Sequence, residues 1–355
     1  MKFLTRLAMA VCAVGVIATC LGFALQTSPR PMPSGVPGYT SLQINVPHRD
    51  APIDLHVWYP AATGGTPEIL SQNALFYGAW VRHDAPGRVS PAPVVVMSHG
   101  SGGNAPRLGW IAAALATAGM IVVAPNHPGT TSGDSDPHQT VRVWKRPQDL
   151  SAALDHVARI QPMGLTPDLT RVGALGYSLG GFSALGLAGV QVSKAAFMAY
   201  CDRNPDQLDC GWMRAAGVDF AAIDQSRYDA AHRDPRINVA VAIDPALPAA
   251  MTPESLARVA LPVLILNLGT PATLPDGLRS DHVAAAIPGA RYHAISGAHH
   301  FSALAECSGL GVAIIALAGD DNICSDFGHR PRAEIQSEML RQIVPMLQTA
   351  FGLPG

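Results

Sequence analysis

Residues 172–189 read VGALGYSLGGFSALGLAG. An apolar run of strand type, Val172–Leu175, gives way to a helical pattern, Phe182–Val190, across Gly176-Tyr177-Ser178-Leu179-Gly180-Gly181. A strand that becomes a helix within so few residues must bend sharply, and glycines on both flanks remove the side chains that would clash at the bend. The bend lifts the Ser178 hydroxyl above the sheet at a helix N-terminus, where the dipole favours developing negative charge. G-x-S-x-G in this setting marks Ser178 as a candidate nucleophile and restricts the chain to an architecture built from strand–helix units.

The rest of the chain fits that restriction. Pro93–Met97, Met120–Ala124, Val239–Ile243 and Pro262–Leu266 are continuous apolar runs, as expected of strands covered on both faces, and Arg291–Ile295 is a weaker one. Helical patterns lie between or after them at Leu108–Ala118, Gln148–Ile160, His282–Ile287 and Ala333–Phe351. Thr40–Val46 and Ile53–Tyr59 alternate apolar and polar residues, which predicts an antiparallel edge to the sheet. Thr63–Pro91 and Gln191–Arg236 stand outside the alternation. Long connections of this kind tend to be functional or to carry short helices of their own. We read 191–236 as a cap insertion between the nucleophile helix and the sixth strand. The expected fold class is therefore α/β, with a mostly parallel central sheet and helices on both faces, spanning 39–352.

Residues 1–25 are a targeting segment. Lys2 and Arg6 precede Leu7–Leu25, in which nothing is charged. A short basic start before an apolar run is the pattern of a secretory signal. The run is also just long enough to span a bilayer, for which about 20 apolar residues are needed, so a retained membrane anchor stays open. Ile17-Ala18-Thr19-Cys20 has the form of a lipobox, with threonine a poor residue before the lipidated cysteine. Residues 26–38 are a Pro-rich linker, and no later segment is apolar for long enough to span. Of six cysteines, Cys12 and Cys20 lie in the targeting segment; the other four fall into two local pairs, Cys201 with Cys210 and Cys307 with Cys324. Export to an oxidising compartment, periplasmic or outside the cell, predicts both as disulfides. With 48% hydrophobic and only 14% charged residues the chain is not disordered, and a net charge of −2 leaves no basic surplus for nucleic acid.

Three further segments complete a possible reaction centre. His99-Gly100-Ser101-Gly102-Gly103 follows a strand directly. Acyl transfer needs preorganised N–H groups for the oxyanion, one from the residue after the nucleophile and one from such a loop. That assigns the Leu179 and Ser101 amides, with His99 a structural part of the turn. Ser296-Gly297-Ala298-His299-His300-Phe301 follows the last strand, where a general-base histidine belongs. Neighbouring side chains diverge, so one of the two histidines faces Ser178, and His300 is preferred. For the acid, Asp244 ends the run VAVAI and precedes Pro245, while Asp276 and Asp281 come later, after the Pro262–Leu266 strand. His127 is read as structural in its loop, and Asp134, Asp136 and His138 as a polar turn. No metal site and no cofactor are expected.

HGSGG at His99, APNHPG at Ala124, GYSLGG at Gly176, AIDPAL at Ala242 and GAHHFSALAEC at Gly297 together resemble the α/β-hydrolase superfamily. The subgroup they resemble is the exported dienelactone-hydrolase-like proteins, which are similar to platelet-activating-factor acetylhydrolases. Dienelactone hydrolases carry a cysteine nucleophile, so Ser178 is a departure that favours a serine esterase. The subgroup's loop reads G-A-G-H-F; here His299 stands in place of the second glycine, which leaves His300 at the matching position. Many α/β-hydrolases place the acid in a G-x-x-D loop where this chain has Ala272. The acetylhydrolases place it where Asp244 stands. The resemblance thus implies a Ser178–Asp244–His300 triad that cleaves carboxylic esters. The resemblance to acetylhydrolases, together with the polar CDRNPDQLDC segment between the cap cysteines, implies short acyl groups. An acyltransferase on the same fold and a non-catalytic envelope binding protein are the rival classes. The second would normally lack a triad member. The expected partner is a small-molecule ester, with membrane contact only through the N-terminal segment and the oligomeric state left open.

Overall fold

Each buried apolar run becomes a strand. The computed structural model describes residues 30–88, 90–318, 323–324, 326 and 330–354, so the targeting segment 1–25 and residues 26–29 of the linker lie outside the described residues. In chain order the strands are β1 (Gly38–Ile44), β2 (Ile53–Tyr59), β3 (Thr66–Leu70), β4 (Ala79–His83), β5 (Ala92–Ser98), β6 (Ile121–Pro125), β7 (Thr130–Thr131), β8 (Asp134–Ser135), β9 (Pro167–Tyr177), β10 (Ile237–Ile243), β11 (Val263–Leu268) and β12 (Arg291–Ile295). Ten of them form one sheet in the order β12-β11-β10-β9-β5-β6-β2-β1-β4-β3, and β7 and β8 pair as a small hairpin. From β12 to β6 all neighbours are parallel; β2 is antiparallel to β6 and to β1.

The helices that matter here are α1 (Gly109–Thr117), α2 (Lys145–Ile160), α3 (Leu179–Ala188), α4 (Lys194–Arg203), α5 (Leu208–Ala215), α6 (Gln225–Tyr228), α7 (Asp281–Ala286), α8 (Gly309–Ala318) and α9 (Arg332–Phe351). α1 and α9 pack on one face of the sheet; α2, α3 and α7 pack on the other. Burial on both faces explains why β5 reads as an unbroken apolar run, all seven of its residues being buried.

Two readings of the sequence need correction. Thr63–Pro91 is not a loop: it holds β3 and β4, which extend the sheet so that β3, not β1 or β2, is its edge. TPEIL is exposed over its first three residues and AWVRH has one fully buried residue, so neither shows the apolar signature of a covered strand. α2 begins at Lys145, three residues before the expected Gln148. Pro147 falls in its first turn, where proline is tolerated because its missing N–H has no partner to lose. Residues 191–236 carry α4, α5 and α6, and Cys201–Cys210 joins α4 to α5 with a Cα separation of 5.3 Å. The second predicted pair, Cys307–Cys324, is also bridged, at 5.5 Å. Among the described residues no helix is long and apolar enough to cross a membrane.

Candidate active site

The functional side chains stand just past the C-terminal ends of parallel strands, where open α/β sheets place their sites. Ser178 follows β9, Asp244 follows β10, and His300 follows β12 in a short turn of helix, while the HGSGG turn follows β5. Ser178 has φ 57° and ψ −122°, a conformation non-glycine residues rarely hold. The glycines on either side make it feasible. A Cβ on Gly176 would lie 1.9 Å from the Gly180 carbonyl oxygen, and one on Gly180 would lie 2.0 Å from that of Ser98. The elbow is tied to β10 and to the turn after it: Ser178 N–H donates to Ile243 O (2.9 Å), and Ala246 N–H donates to Ser178 O (3.0 Å).

His300 bridges the other two residues. Its Nε2 lies 3.1 Å from Ser178 Oγ and its Nδ1 lies 3.0 Å from Asp244 Oδ2. Tyr177 O–H donates to the His300 carbonyl (2.8 Å), which fixes the histidine's backbone over the elbow. Asp244 is fully buried, and its other oxygen accepts from Asn267 Nδ2 (2.8 Å) and Leu268 N–H (2.7 Å). Asp276 and Asp281 are elsewhere, both paired with Arg279 at the surface. His299 turns away from Ser178 to Asp326, 3.2 Å distant, which also accepts from Ser302 Oγ.

Asn267 was not singled out from the sequence. It is fully buried, and its Oδ1 accepts from Ser280 N–H (3.0 Å) and Tyr292 O–H (3.1 Å). The available signal was one amide within the apolar run VLILNL.

On the other side of Ser178, the HGSGG turn is held by buried polar groups. His99 Nε2 accepts from His127 N–H (3.2 Å), so the ring proton sits on Nδ1 and donates to the Gly100 carbonyl (2.7 Å). Burial, reinforced by Arg146, holds His99 neutral, and the same causes push His127 down to about 3. Both histidines are thus structural, as the sequence reading has it. His127 Nδ1–H meets Asp149 Oδ2 (2.7 Å), and Asp149 also takes His48 and a two-pronged contact from Arg49. Burial would raise this carboxyl, but the hydrogen bonds from His127, His48 and Arg49 outweigh it and hold it far below the usual range. Asp136 caps the short helical turn that follows it, accepting from His138 N–H, and Asp134 accepts from Gly129 N–H.

Ser101, Ser178 and Leu179 line one cavity of about 50 Å³, closed by Phe197, Trp212, Met213 and Tyr228 from the 191–236 segment. The polar reading of the loop between the cap cysteines needs qualifying, because α5 starts within it and turns Trp212 and Met213 toward the nucleophile. A larger open groove of about 1140 Å³ between α2 and residues 217–232 shares Val141 with this cavity but is not lined by Ser178.

Residues 80–213, which include the elbow and the HGSGG turn, match the family model described as the dienelactone hydrolase family. The fold is that of the α/β-hydrolases. The solved structure of a ferulic acid esterase from Streptomyces cinnamoneus has a TM-score of 0.62 at 18% identity, covering 92% of this chain and 93% of that one. A dienelactone hydrolase-like promiscuous phosphotriesterase from metagenomic libraries has a TM-score of 0.50 at 14% identity, covering 88% and 99%. At these identities the two likenesses speak for the fold. No curated protein matches the sequence. The family match over residues 80–213 supports a hydrolase.

Proposed function

We propose that this α/β-hydrolase is an exported serine esterase that cleaves small carboxylic esters through an acyl-enzyme on Ser178. The observation that carries the reading is His300 standing within hydrogen-bond reach of both Ser178 Oγ and Asp244 Oδ2. His300 Nε2 takes the hydroxyl proton as Oγ attacks the ester carbonyl. The buried Asp244 carboxylate fixes the imidazole tautomer and stabilises the imidazolium. The Leu179 and Ser101 amides receive the oxyanion. The tetrahedral intermediate collapses, His300 returns the proton to the leaving alkoxide, and water repeats the sequence on the acyl-enzyme to release the acid. The reaction needs no metal or organic cofactor.

A cavity of about 50 Å³ walled by the 191–236 cap supports short acyl groups, acetyl to butyryl. The basic start and apolar run of residues 1–25, with two disulfides in the body, support export to the periplasm or beyond. The test is a fluorophosphonate probe together with an ester panel of increasing acyl length. We expect labelling that Ser178→Ala abolishes and turnover that falls beyond butyryl. An unlabelled, inactive protein would favour a binding role, and a preference for long-chain emulsified lipids would overturn the acyl assignment.

A further inference from the structure

The side chain of Arg146, in the first turn of α2, is one of the largest that are fully buried, with 1% of its surface exposed. Removing a guanidinium from water is costly unless its hydrogen bonds are remade in the interior. Its bonds go to neutral groups around the HGSGG turn. Nη1 donates to Thr130 Oγ1, and Nη2 donates to Ser98 Oγ (3.3 Å) and to the His99 carbonyl. Nε has no hydrogen-bond partner among the described residues, so the guanidinium is aimed at the turn rather than satisfied all round.

The consequence lies in the peptide planes. The His99 carbonyl is taken by Arg146, and the next carbonyl, Gly100, accepts from His99 Nδ1–H (2.7 Å) and Gly103 N–H (3.1 Å). In a trans peptide the N–H points opposite the C=O. Pinning these two carbonyls inward therefore sets the Gly100 and Ser101 amides the other way. The turn passes close to the nucleophile there: a Cβ on Gly100 would lie 3.1 Å from Ser178 Cβ, and Ser101 shares the Ser178 cavity. A cation on the His99 carbonyl also polarises that peptide and adds positive potential behind the place where the oxyanion forms.

We propose that Arg146 is a positioning residue for the reaction, holding the His99–Ser101 turn by its carbonyl so that the Ser101 amide is preset for the oxyanion. The proposal rests on the reading of Ser178 as nucleophile and Ser101 as oxyanion donor. It makes a demand that a merely structural arginine does not. A thionoester places sulfur, a poor hydrogen-bond acceptor, where the ester has its carbonyl oxygen. A well-set oxyanion site therefore prefers the oxoester, and a loosened one loses that preference.

The experiment compares oxo- and thionoesters of one short acid with the parent enzyme, Ser178→Ala and Arg146→Lys. Lysine keeps the charge but lacks the planar fork that spans Thr130, Ser98 and the His99 carbonyl. We expect Arg146→Lys to lower kcat on the oxoester by roughly 30- to 300-fold, somewhat less than the roughly 100- to 1000-fold for outright loss of one oxyanion donor. KM should stay within about threefold, and the oxo-to-thiono preference should shrink by a factor similar to the loss in kcat. Thr130→Val, which removes one anchor of the guanidinium, should narrow the preference to a smaller degree, and it decides the question if Arg146→Lys does not fold. An unchanged preference in the folded variant, or equal losses on both esters, overturns the proposal while Ser178→Ala is inactive. Activity retained by Ser178→Ala overturns the underlying reading and the proposal together.

Discussion

The two sides of Ser178 are built from different materials. On the triad side, among the described residues, the one charged group in hydrogen-bond contact with His300 is the Asp244 carboxylate, and that carboxylate's other partners are a side-chain amide and a backbone N–H. On the HGSGG side a buried guanidinium, a buried carboxylate, Arg49 and two neutral histidines are packed together. Under the proposed mechanism the difference follows from what each side must do. A carboxylate that stabilises a transient imidazolium has to keep its charge uncommitted, and a cation bound to it would compete with His300. The oxyanion turn has to hold a shape and present positive potential, and buried ions serve that purpose where their bonds fix the turn.

The largest test of the triad side is Asp244→Asn. Asparagine keeps the volume and can still meet Asn267 and Leu268, but it removes the charge and favours the wrong His300 tautomer. Turnover of an activated ester should fall by roughly four orders of magnitude with the fold intact. A residual rate within tenfold of the parent would show that the acid lies elsewhere.

The ion-built side should show itself in acid. Burial holds His99 well below its ordinary pKa and His127 down to about 3, so both stay neutral in the folded protein. In the unfolded chain each takes a proton at about 6.5. As the pH falls below that value the unfolded state gains protons the folded state cannot bind. Stability is then lost at up to about 1.4 kcal/mol per pH unit for each histidine, continuing for His127 toward pH 3. Urea midpoints measured from pH 7.5 to pH 4.5 should fall accordingly, and His127→Gln, although less stable at neutral pH, should flatten the slope by one histidine's share. An unchanged slope would mean that other groups drive acid unfolding.

The same contrast decides what could be read in the chain itself. The motif and its strand–helix setting singled out Ser178, whereas the choice of Asp244 and of His300 leaned on the resemblance to the acetylhydrolases, and the structure brings the three side chains within hydrogen-bond reach. β2 and β12 fall on the residues predicted for them. Asp149 sits inside an ordinary amphipathic helix pattern and Arg146 just before it, and both meet partners far away in sequence: Arg146 meets His99, and Asp149 meets Arg49 and His48. No spacing rule connects such residues. β3 and β4 were missed for a related reason, because an edge strand that is half exposed lacks the apolar run that marks a covered one. α8 also went unread. Its sequence GLGVAIIALA is apolar all round, with Leu317 89% exposed, and so shows no helical stripe.

Asn267 offers a smaller test of the triad side. Replacing it with leucine removes one donor from Asp244 and leaves Ser280 N–H and the Tyr292 hydroxyl without their acceptor. Loss of a buried polar partner costs about 1–3 kcal/mol. Part of that should appear as a lower melting temperature and part as a fall in kcat of about tenfold, with KM little changed. A variant with reduced stability and unaltered kcat would assign Asn267 to the fold alone.

The smallest expected effects are those of Asp276→Asn and Asp281→Asn, and they bear most directly on where the acid was placed. Both carboxylates follow β11, the strand that carries the acid in many α/β-hydrolases, so the choice of Asp244 depends on their being idle. Both pair with Arg279 in exposed settings, Asp276 at 3.6 Å and Asp281 at 3.2 Å, and neither contacts His300. Exposed pairs of this kind contribute little to stability. Each variant should keep kcat/KM within about tenfold of the parent, a barrier change of no more than about 1.4 kcal/mol. Activity lost in either one, with Asp244→Asn still active, would move the acid from the end of β10 to the loop after β11.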